Sequence, residues 1–284
     1  MRSLGFVDGK IIDLAENAVP LEDRGHQFGD GIYEVTKVYN GKCFALNRHI
    51  ERAYRSLREL KIPAVYTYEE FEELHNLLIN ESDIQEGAIY LQITRGVAPR
   101  AHGFPDNVVP RLTMSIRPTV SNANLLESGV KGLLIPDERW LRCDIKSLNL
   151  LGNILGKQKA KEAGCFEAIQ IRDGIVTEGT SSNFFIVKDE ILWTHPASNL
   201  ILKGVTRSII IDELAPALNL TVLEKTFSPE FIQKADEAFI SGTTSEIMPI
   251  IAFGSVPVGN GKVGSITRKL QQAYQSLVAQ ECGQ

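Results

Sequence analysis

Four stretches of this sequence carry residues whose types and spacing could do chemistry. In RWLRCDIKSLNL, Arg139 to Leu150, Lys146 stands between the apolar Ile145 and Leu148. A lysine with apolar neighbours sheds part of its hydration and becomes available as an amine nucleophile. By spacing alone the same residue reads as a structural or surface lysine. In VTEGTSSN, Val176 to Asn183, Glu178 follows a hairpin strand and precedes a turn of small residues, a position where a glutamate is ordinarily a solvated charge. Two more stretches look built for a phosphate. In LKGVTR, Leu202 to Arg207, a glycine turn precedes Thr206 and opens a helix predicted over 206–219, so free backbone N–H groups and the positive helix end converge there. In SGTTSE, Ser241 to Glu246, an apolar strand delivers the hydroxyls of Thr243, Thr244 and Ser245 beside Gly242. Taken singly, each of these also reads as a mere helix cap or turn, because Ser, Thr and Gly dominate such positions.

The elements that must position these residues follow from periodicity. With 284 residues the chain is near the size at which one core stops growing, so two lobes of roughly 100–150 residues are expected. The first lobe, 1–118, reads as strands with two helices. Residues Gly31 to Ala45 place Ile32, Val35 and Val38 among polar residues, and Asn40-Gly41 signals a type I′ hairpin. A helix capped by Asn47 then carries Ile50, Ala53, Tyr54, Leu57 and Leu60 on one face, with Arg48, Arg52 and Arg55 elsewhere. A second helix spans Tyr68 to Asn80, and strands follow near Ala88–Thr94 and Arg111–Arg117. The polar stretch 119–124 reads as an interdomain linker. The second lobe, 125–284, is expected to carry Lys146, a helix from Leu150 to Ala163 ended by Gly164, two hairpins, and a C-terminal helix from about Ser265. The pattern is α+β rather than a regular βαβ array, and no GxGxxG or Walker motif appears.

Composition narrows the partners. A net charge of -5 and 43% hydrophobic residues describe an ordinary globular chain and argue against nucleic acid or an anionic membrane as the main partner. No stretch approaches the roughly 20 apolar residues of a membrane span, and the N-terminus lacks a signal-peptide core, so a cytoplasmic location is expected. Cys43, Cys143, Cys165 and Cys282 are far apart and lack metal-ligand spacing, so reduced thiols and no metal site are expected.

Taken together, EDRGHQFGDGIYEVTKVYNG (Glu22 to Gly41), TRGVAPRAHGFP (Thr94 to Pro105), RWLRCDIKSLNL, VTEGTSSN, THPASNLILKGVTR (Thr194 to Arg207) and SGTTSE resemble the fold-type IV pyridoxal-phosphate aminotransferases. Within that group the chain is most similar to the bacterial D-amino-acid aminotransferases, over nearly its whole length and with the motifs in the family's order. The resemblance implies a two-domain α+β fold, pyridoxal 5'-phosphate as cofactor, and a homodimer. It also implies transfer of the amino group of a D-amino acid such as D-alanine or D-glutamate to 2-oxoglutarate or pyruvate, in a ping-pong cycle.

The same resemblance implies the residue roles. Lys146 would form the internal Schiff base and shuttle the proton between substrate Cα and cofactor C4′. Glu178 would pair with the pyridine nitrogen. Arg52, Val205, Thr206 and Thr243 would bind the phosphate, and Leu202 would support the ring. Tyr33, Arg100 and His102 would hold the substrate α-carboxylate, with the Arg100–His102 loop supplied by the second subunit. Two departures stand out: His26 where a tyrosine is common, and Gly242 where a hydroxyl side chain is often found. Branched-chain L-amino-acid or (R)-amine transaminases and aminodeoxychorismate lyases on the same fold would keep Lys146, Glu178 and Arg52. The Arg100-Ala101-His102 triplet favours the D-specific group. A non-catalytic cofactor carrier would have no need of Glu178.

Overall fold

A computed structural model describes residues 2–283, and they divide into two compact units. The first holds residues up to 120 together with 145–149 and the chain from 278 onward. Its elements in chain order are β1 (Leu4–Val7), β2 (Lys10–Ile12), α1 (Arg24–Phe28), β3 (Gly31–Tyr39), β4 (Lys42–Cys43), α2 (Leu46–Glu59), α3 (Tyr68–Ser82), β5 (Gly87–Thr94) and β6 (Arg111–Pro118). The strands form an antiparallel sheet in the order β2-β1-β6-β5-β3-β4. Ile32, Val38, Ile89, Ile116, Leu57, Phe71 and Leu78 belong to the core that this sheet shares with α2 and α3. Asn40 and Gly41 both take positive φ, 50° and 69°, as a type I′ turn requires. Thr67 and Glu70 close a capping box on α3.

Helix α2 starts two residues earlier than an Asn47 cap would place it, with Ala45 at the cap position. Ala45, at φ 51°, already accepts the N–H groups of Arg48 and His49, so Asn47 lies inside the first turn. Glu34 and Thr36 share the face of β3 that carries Ile32 and Val38 and are buried with them, and Lys37 is buried on the opposite face.

The second unit holds residues 121–144 and 150–277. It comprises α4 (Ala123–Ser128), β7 (Val130–Pro136), α5 (Leu151–Glu162), β8 (Glu167–Arg172), β9 (Ile175–Gly179), β10 (Asn183–Lys188), β11 (Ile191–Thr194), α6 (Val205–Ile209), α7 (Ala215–Ala217), β12 (Val222–Glu224), α8 (Pro229–Ile232), β13 (Glu237–Gly242), β14 (Glu246–Phe253), β15 (Val256–Pro257) and α9 (Ser265–Cys282), the last of which runs on past residue 277. The sheet is mixed, in the order β12-β11-β10-β13-β14-β7-β8-β9, and α5 forms the crossover between the parallel pair β7 and β8. The single helix expected over 206–219 is interrupted by a π-helical turn, Ile210–Leu214. Pro216 lacks the N–H that an unbroken α-helix would use, and its ring disfavours the preceding turn.

The segment 145–149 was expected with the second lobe, yet it packs in the first unit. Backbone pairing explains this: Tyr33 N–H donates to the Lys146 carbonyl and Leu148 N–H to the Gly31 carbonyl, each at 3.0 Å. These bonds dock Lys146 onto the start of β3.

His75 on α3 yields a pH prediction. It is buried, its Nδ1–H donates to the Phe71 carbonyl at 2.7 Å, and burial pushes its pKa down to about 4. Below pH ~6.5 the unfolded chain takes up a proton that the folded chain excludes, so stability present above that pH is lost as pH falls toward 4, by up to about 3 kcal/mol. In circular-dichroism titrations, His75→Leu is expected to lose less stability than the parent between pH 7 and 4. Equal pH slopes in the two proteins would remove His75 from the account.

Candidate active site

In the first unit, β3 and the docked 145–149 segment bring Lys146 and Tyr33 together. Lys146 Nζ lies 4.2 Å from the centre of the Tyr33 ring, which is itself stacked on Tyr90 at 5.7 Å. Ile145 is buried beside the lysine, and the Lys146 N–H donates to Ser56 Oγ at 3.3 Å. The amine is thus held against an aromatic face by a backbone tied to both β3 and α2.

The adjacent β3 residue, Glu34, organises Arg52. Arg52 Nε and Nη2 donate to Glu34 Oε1 and Oε2, each at 2.8 Å, and His49 Nδ1 lies 2.9 Å from Oε2. Burial raises the Glu34 carboxyl, but Arg52 and then His49 outweigh it and hold the group well below the ordinary carboxylate range. Glu34 is therefore an anion, and the paired, parallel bonds fix the plane of the Arg52 guanidinium. The family resemblance pointed to Arg52, whereas Glu34 went unmarked because its partners His49 and Arg52 lie 15 and 18 residues further along the chain.

Arg100 and His102 lie on an exposed loop and meet a different ring. The Arg100 guanidinium carbon is 4.6 Å from the centre of Phe28, and the His102 ring is 5.7 Å from it. Among the described residues no hydrogen bond or ring contact joins either to Tyr33. His26 is exposed on α1.

In the second unit, Glu178 is buried at the end of β9 and fully engaged. Its Oε1 accepts from Arg139 Nη1 at 2.5 Å and its Oε2 from Asn183 Nδ2 at 2.9 Å, while the Leu202 N–H lies 3.1 Å from both. Arg139 is gripped in turn by Asp137, at 2.9 Å to Oδ1 and 2.8 Å to Oδ2, and Asp137 also pairs with Arg172. Burial raises Asp137, but Arg139 and Arg172 bring it down to about 2. For Glu178 burial prevails over Arg139 and the Leu202 N–H, pushing the carboxyl up to about 7. Such a group gains strongly from a further cation beside it. Arg139 and Asn183 bracket two of the motifs but escaped notice, because their partners lie 39 and 5 residues away and only the fold brings them together.

The two expected phosphate cups also lie in the second unit. Gly204 precedes α6, and a Cβ there would overlap Asn183 Oδ1, so glycine lets the 202–206 turn approach the residue that holds Glu178. Thr206 is buried on α6, which packs on β13. Strand β13 ends at Gly242, followed by the turn Thr243–Ser245. A Cβ at Gly242 would sit 2.8 Å from Ser245 Oγ, so this turn closes more tightly than one with a hydroxyl side chain there. The buried Ser241 Oγ has no hydrogen-bond partner among the described residues. Backbone N–H groups and hydroxyls as donors, with a buried carboxyl as acceptor, form a set that fits a phosphorylated, nitrogen-cationic ring.

Known proteins agree with this chemistry. Residues 31–253 match the family described as amino-transferase class IV. The D-alanine aminotransferase of Staphylococcus aureus strain COL is 45% identical over 274 residues, covering 96% of this chain and 97% of the relative. That of Bacillus licheniformis is 42% identical and covers 96% of each. The solved branched-chain amino acid aminotransferase of Escherichia coli superposes with a TM-score of 0.91 at 26% identity, covering 96% of this chain and 94% of that one. Such matches define a pyridoxal-phosphate-dependent aminotransferase. The chain belongs to the class IV aminotransferase family.

Proposed function

We propose that the protein is a D-amino-acid transaminase, acting as a homodimer in the cytoplasm on amino acids of the D-alanine and D-glutamate type with 2-oxoglutarate or pyruvate as acceptor. The observation that carries this reading is the nearly full-length identity of 42–45% to D-alanine aminotransferases, against 26% to the branched-chain enzyme of the same fold. The Arg100-Ala101-His102 loop supports it, since a planar guanidinium grips a carboxylate through two parallel bonds.

When bound, pyridoxal phosphate supplies a ring that accepts the electron pair left as substrate Cα loses its proton. The chain does the rest. Lys146 Nζ takes that proton and returns it at cofactor C4′. Glu178 keeps a proton on the ring nitrogen. Arg52, with Val205, Thr206 and Thr243, binds the phosphate, and Leu202 supports the ring. Tyr33, Arg100 and His102 hold the α-carboxylate and so decide which hand of the substrate aims its Cα–H at Lys146. The branched-chain reading has the TM-score of 0.91 in its favour. Purified enzyme with 2-oxoglutarate and matched D- and L-amino acids separates the two: D-alanine and D-glutamate are expected to turn over, and faster L-leucine than D-alanine turnover would overturn the proposal.

Exposed apolar side chains support the dimer. In the first unit these include Phe104 and Val109, within ten residues of Arg100 in the sequence, and in the second Leu151, Ile154 and Leu155 along one side of α5. Mixing inactive Lys146→Ala with inactive Arg100→Ala chains is expected to restore activity, because a heterodimer assembles one site with both residues intact. Absence of recovery after confirmed subunit exchange would place Arg100 in its own chain's site.

A further inference from the structure

The motif EDRGHQFGDG contributes residues to which no role has been given so far, and several of them meet the loop that carries Arg100 and His102. Helix α1 is a five-residue turn, capped at its start by Asp23, which accepts the Gly25 N–H at 2.8 Å, and ended by Gly29 at φ 67°. Arg24 is buried within it. Arg24 Nη1 donates to the Ala101 carbonyl at 2.6 Å, the backbone group midway between Arg100 and His102, while Arg24 Nε donates to Asp30 at 2.7 Å. Asp30 also accepts from Arg95 Nε at 2.8 Å and Nη2 at 3.0 Å, and Arg95 donates onward to the Leu60 and Lys61 carbonyls. The Arg95 guanidinium carbon is 3.7 Å from the centre of Phe104. The loop is thereby tied at residues 95, 101 and 104.

Within those ties Phe28 is the common surface. Its ring centre is 4.8 Å from the Arg24 guanidinium carbon and 4.6 Å from that of Arg100, and the His102 ring is 5.7 Å away. An aromatic face restrains a guanidinium without neutralising it and without occupying its in-plane N–H donors. A carboxylate partner would do both. Here Asp30 is engaged by Arg24 and Arg95, and Asp23 accepts from the Gly25 N–H and Thr94 Oγ1. Burial raises Asp30, but Arg95 and Arg24 outweigh it and keep the group below its ordinary value, so the base of the platform stays anionic.

We propose that Arg24, Phe28 and Asp30 are positioning residues for substrate recognition: they form a platform that holds the Arg100-Ala101-His102 triplet in the orientation that receives the α-carboxylate. This rests on the reading of Arg100 and His102 as the residues that hold that carboxylate. Pre-orienting two otherwise exposed side chains lowers the entropy lost when substrate binds, so the platform acts on substrate affinity and enantiomer choice rather than on proton transfer.

The test follows the first half-reaction of the holoenzyme, separating the apparent Kd for D-alanine from the rate at saturation, with D/L preference, cofactor affinity of the apoprotein and Tm measured alongside. Phe28→Leu keeps the apolar contact and removes the π face, and is expected to raise the D-alanine Kd by about three- to thirty-fold and erode D/L preference. The saturating rate, cofactor affinity and Tm are expected to stay near those of the parent. Phe28→Tyr is expected to match the parent. Arg24→Lys, unable to bridge Ala101 and Asp30 together, is expected to behave like Phe28→Leu, and the Phe28 pair decides the matter if it folds poorly. A parental Kd and D/L ratio in Phe28→Leu, with Arg100→Ala strongly impaired in both, overturns the platform and leaves the carboxylate reading intact. Equal losses in Phe28→Leu and Phe28→Tyr overturn it too. If Arg100→Ala itself leaves Kd and D/L preference unchanged, the carboxylate reading fails and takes the platform with it.

Discussion

Lys146→Ala is expected to lower transaminase turnover by about four orders of magnitude, and borohydride should no longer fix pyridoxal phosphate to the chain. Both effects come from one amine. Lys146 Nζ rests 4.2 Å from the Tyr33 ring centre, and its backbone carbonyl accepts the Tyr33 N–H, so the side chain starts from a point fixed by the sheet. Under the proposed roles the same Nζ anchors the cofactor and carries the proton between substrate Cα and C4′, a transfer for which alanine offers no substitute. Reduction of the parent protein followed by peptide mapping should place the phosphopyridoxyl label on Lys146. A label on another lysine, or a Lys146→Ala variant with near-parental turnover, would remove Lys146 from its role. Since the lysine segment packs with the first unit, Ser56→Ala, which removes a hydroxyl accepting the Lys146 N–H, is expected to disturb this anchor only slightly.

What the sequence made legible was local. Asn40-Gly41 and Asp173-Gly174 announce their hairpins because both residues of each pair must take positive φ, and the structure gives 50° and 69° to the first and 50° and 75° to the second. Gly164 ends α5 for the same reason, at φ 67°. The reactive residue types were legible through the joint occurrence of the motifs, whereas periodicity alone left Lys146 and Glu178 ordinary. Partners far along the chain were not legible. The docking of 145–149 onto β3 spans more than a hundred residues, and nothing in either segment's local pattern reports it. Glu34 shares a strand face with the apolar Ile32 and Val38, but nothing in β3 reports that α2 turns His49 and Arg52 toward it. Pro216 announces a break in the expected 206–219 helix, but the π-helical form of that break depends on the surrounding packing. Asp8-Gly9 also carries a hairpin signal, with φ of 50° and 80°, and the β1–β2 pair it joins is too short to show a strand period.

Glu178→Gln should slow the chemical step at saturating substrate by roughly tenfold to a thousandfold, or about 1.4–4 kcal/mol of barrier. The reason is a balance of buried charge. Asp137, Arg139 and Glu178 form an alternating chain with side chains at most 6% exposed; Asp137 is shared between Arg139 and Arg172, whereas Glu178 ends the chain, paired with Arg139. A protonated ring nitrogen beside Glu178 gives this terminal carboxylate a second cation, and glutamine removes the charge that makes protonation favourable while leaving Arg139 in place to oppose it. Shape is preserved, since Asn183 Nδ2 and the Leu202 N–H can still donate to the amide oxygen. A second measurement, on the apoproteins, isolates the carboxyl from the cofactor. Burial pushes Glu178 up to about 7, so the folded chain holds a proton that the unfolded chain releases above its ordinary value near 4.5. Its contribution to stability is fully present below ~4.5 and is lost as pH rises through ~7, by up to about 3 kcal/mol. The parental apoprotein should therefore lose stability relative to Glu178→Gln between pH 4.5 and 8, and their difference should level off above that range. A pH-independent difference would mean that Arg139 keeps the carboxyl ionised throughout. Single-turnover rates equal to the parent's would assign control of the ring nitrogen to another group.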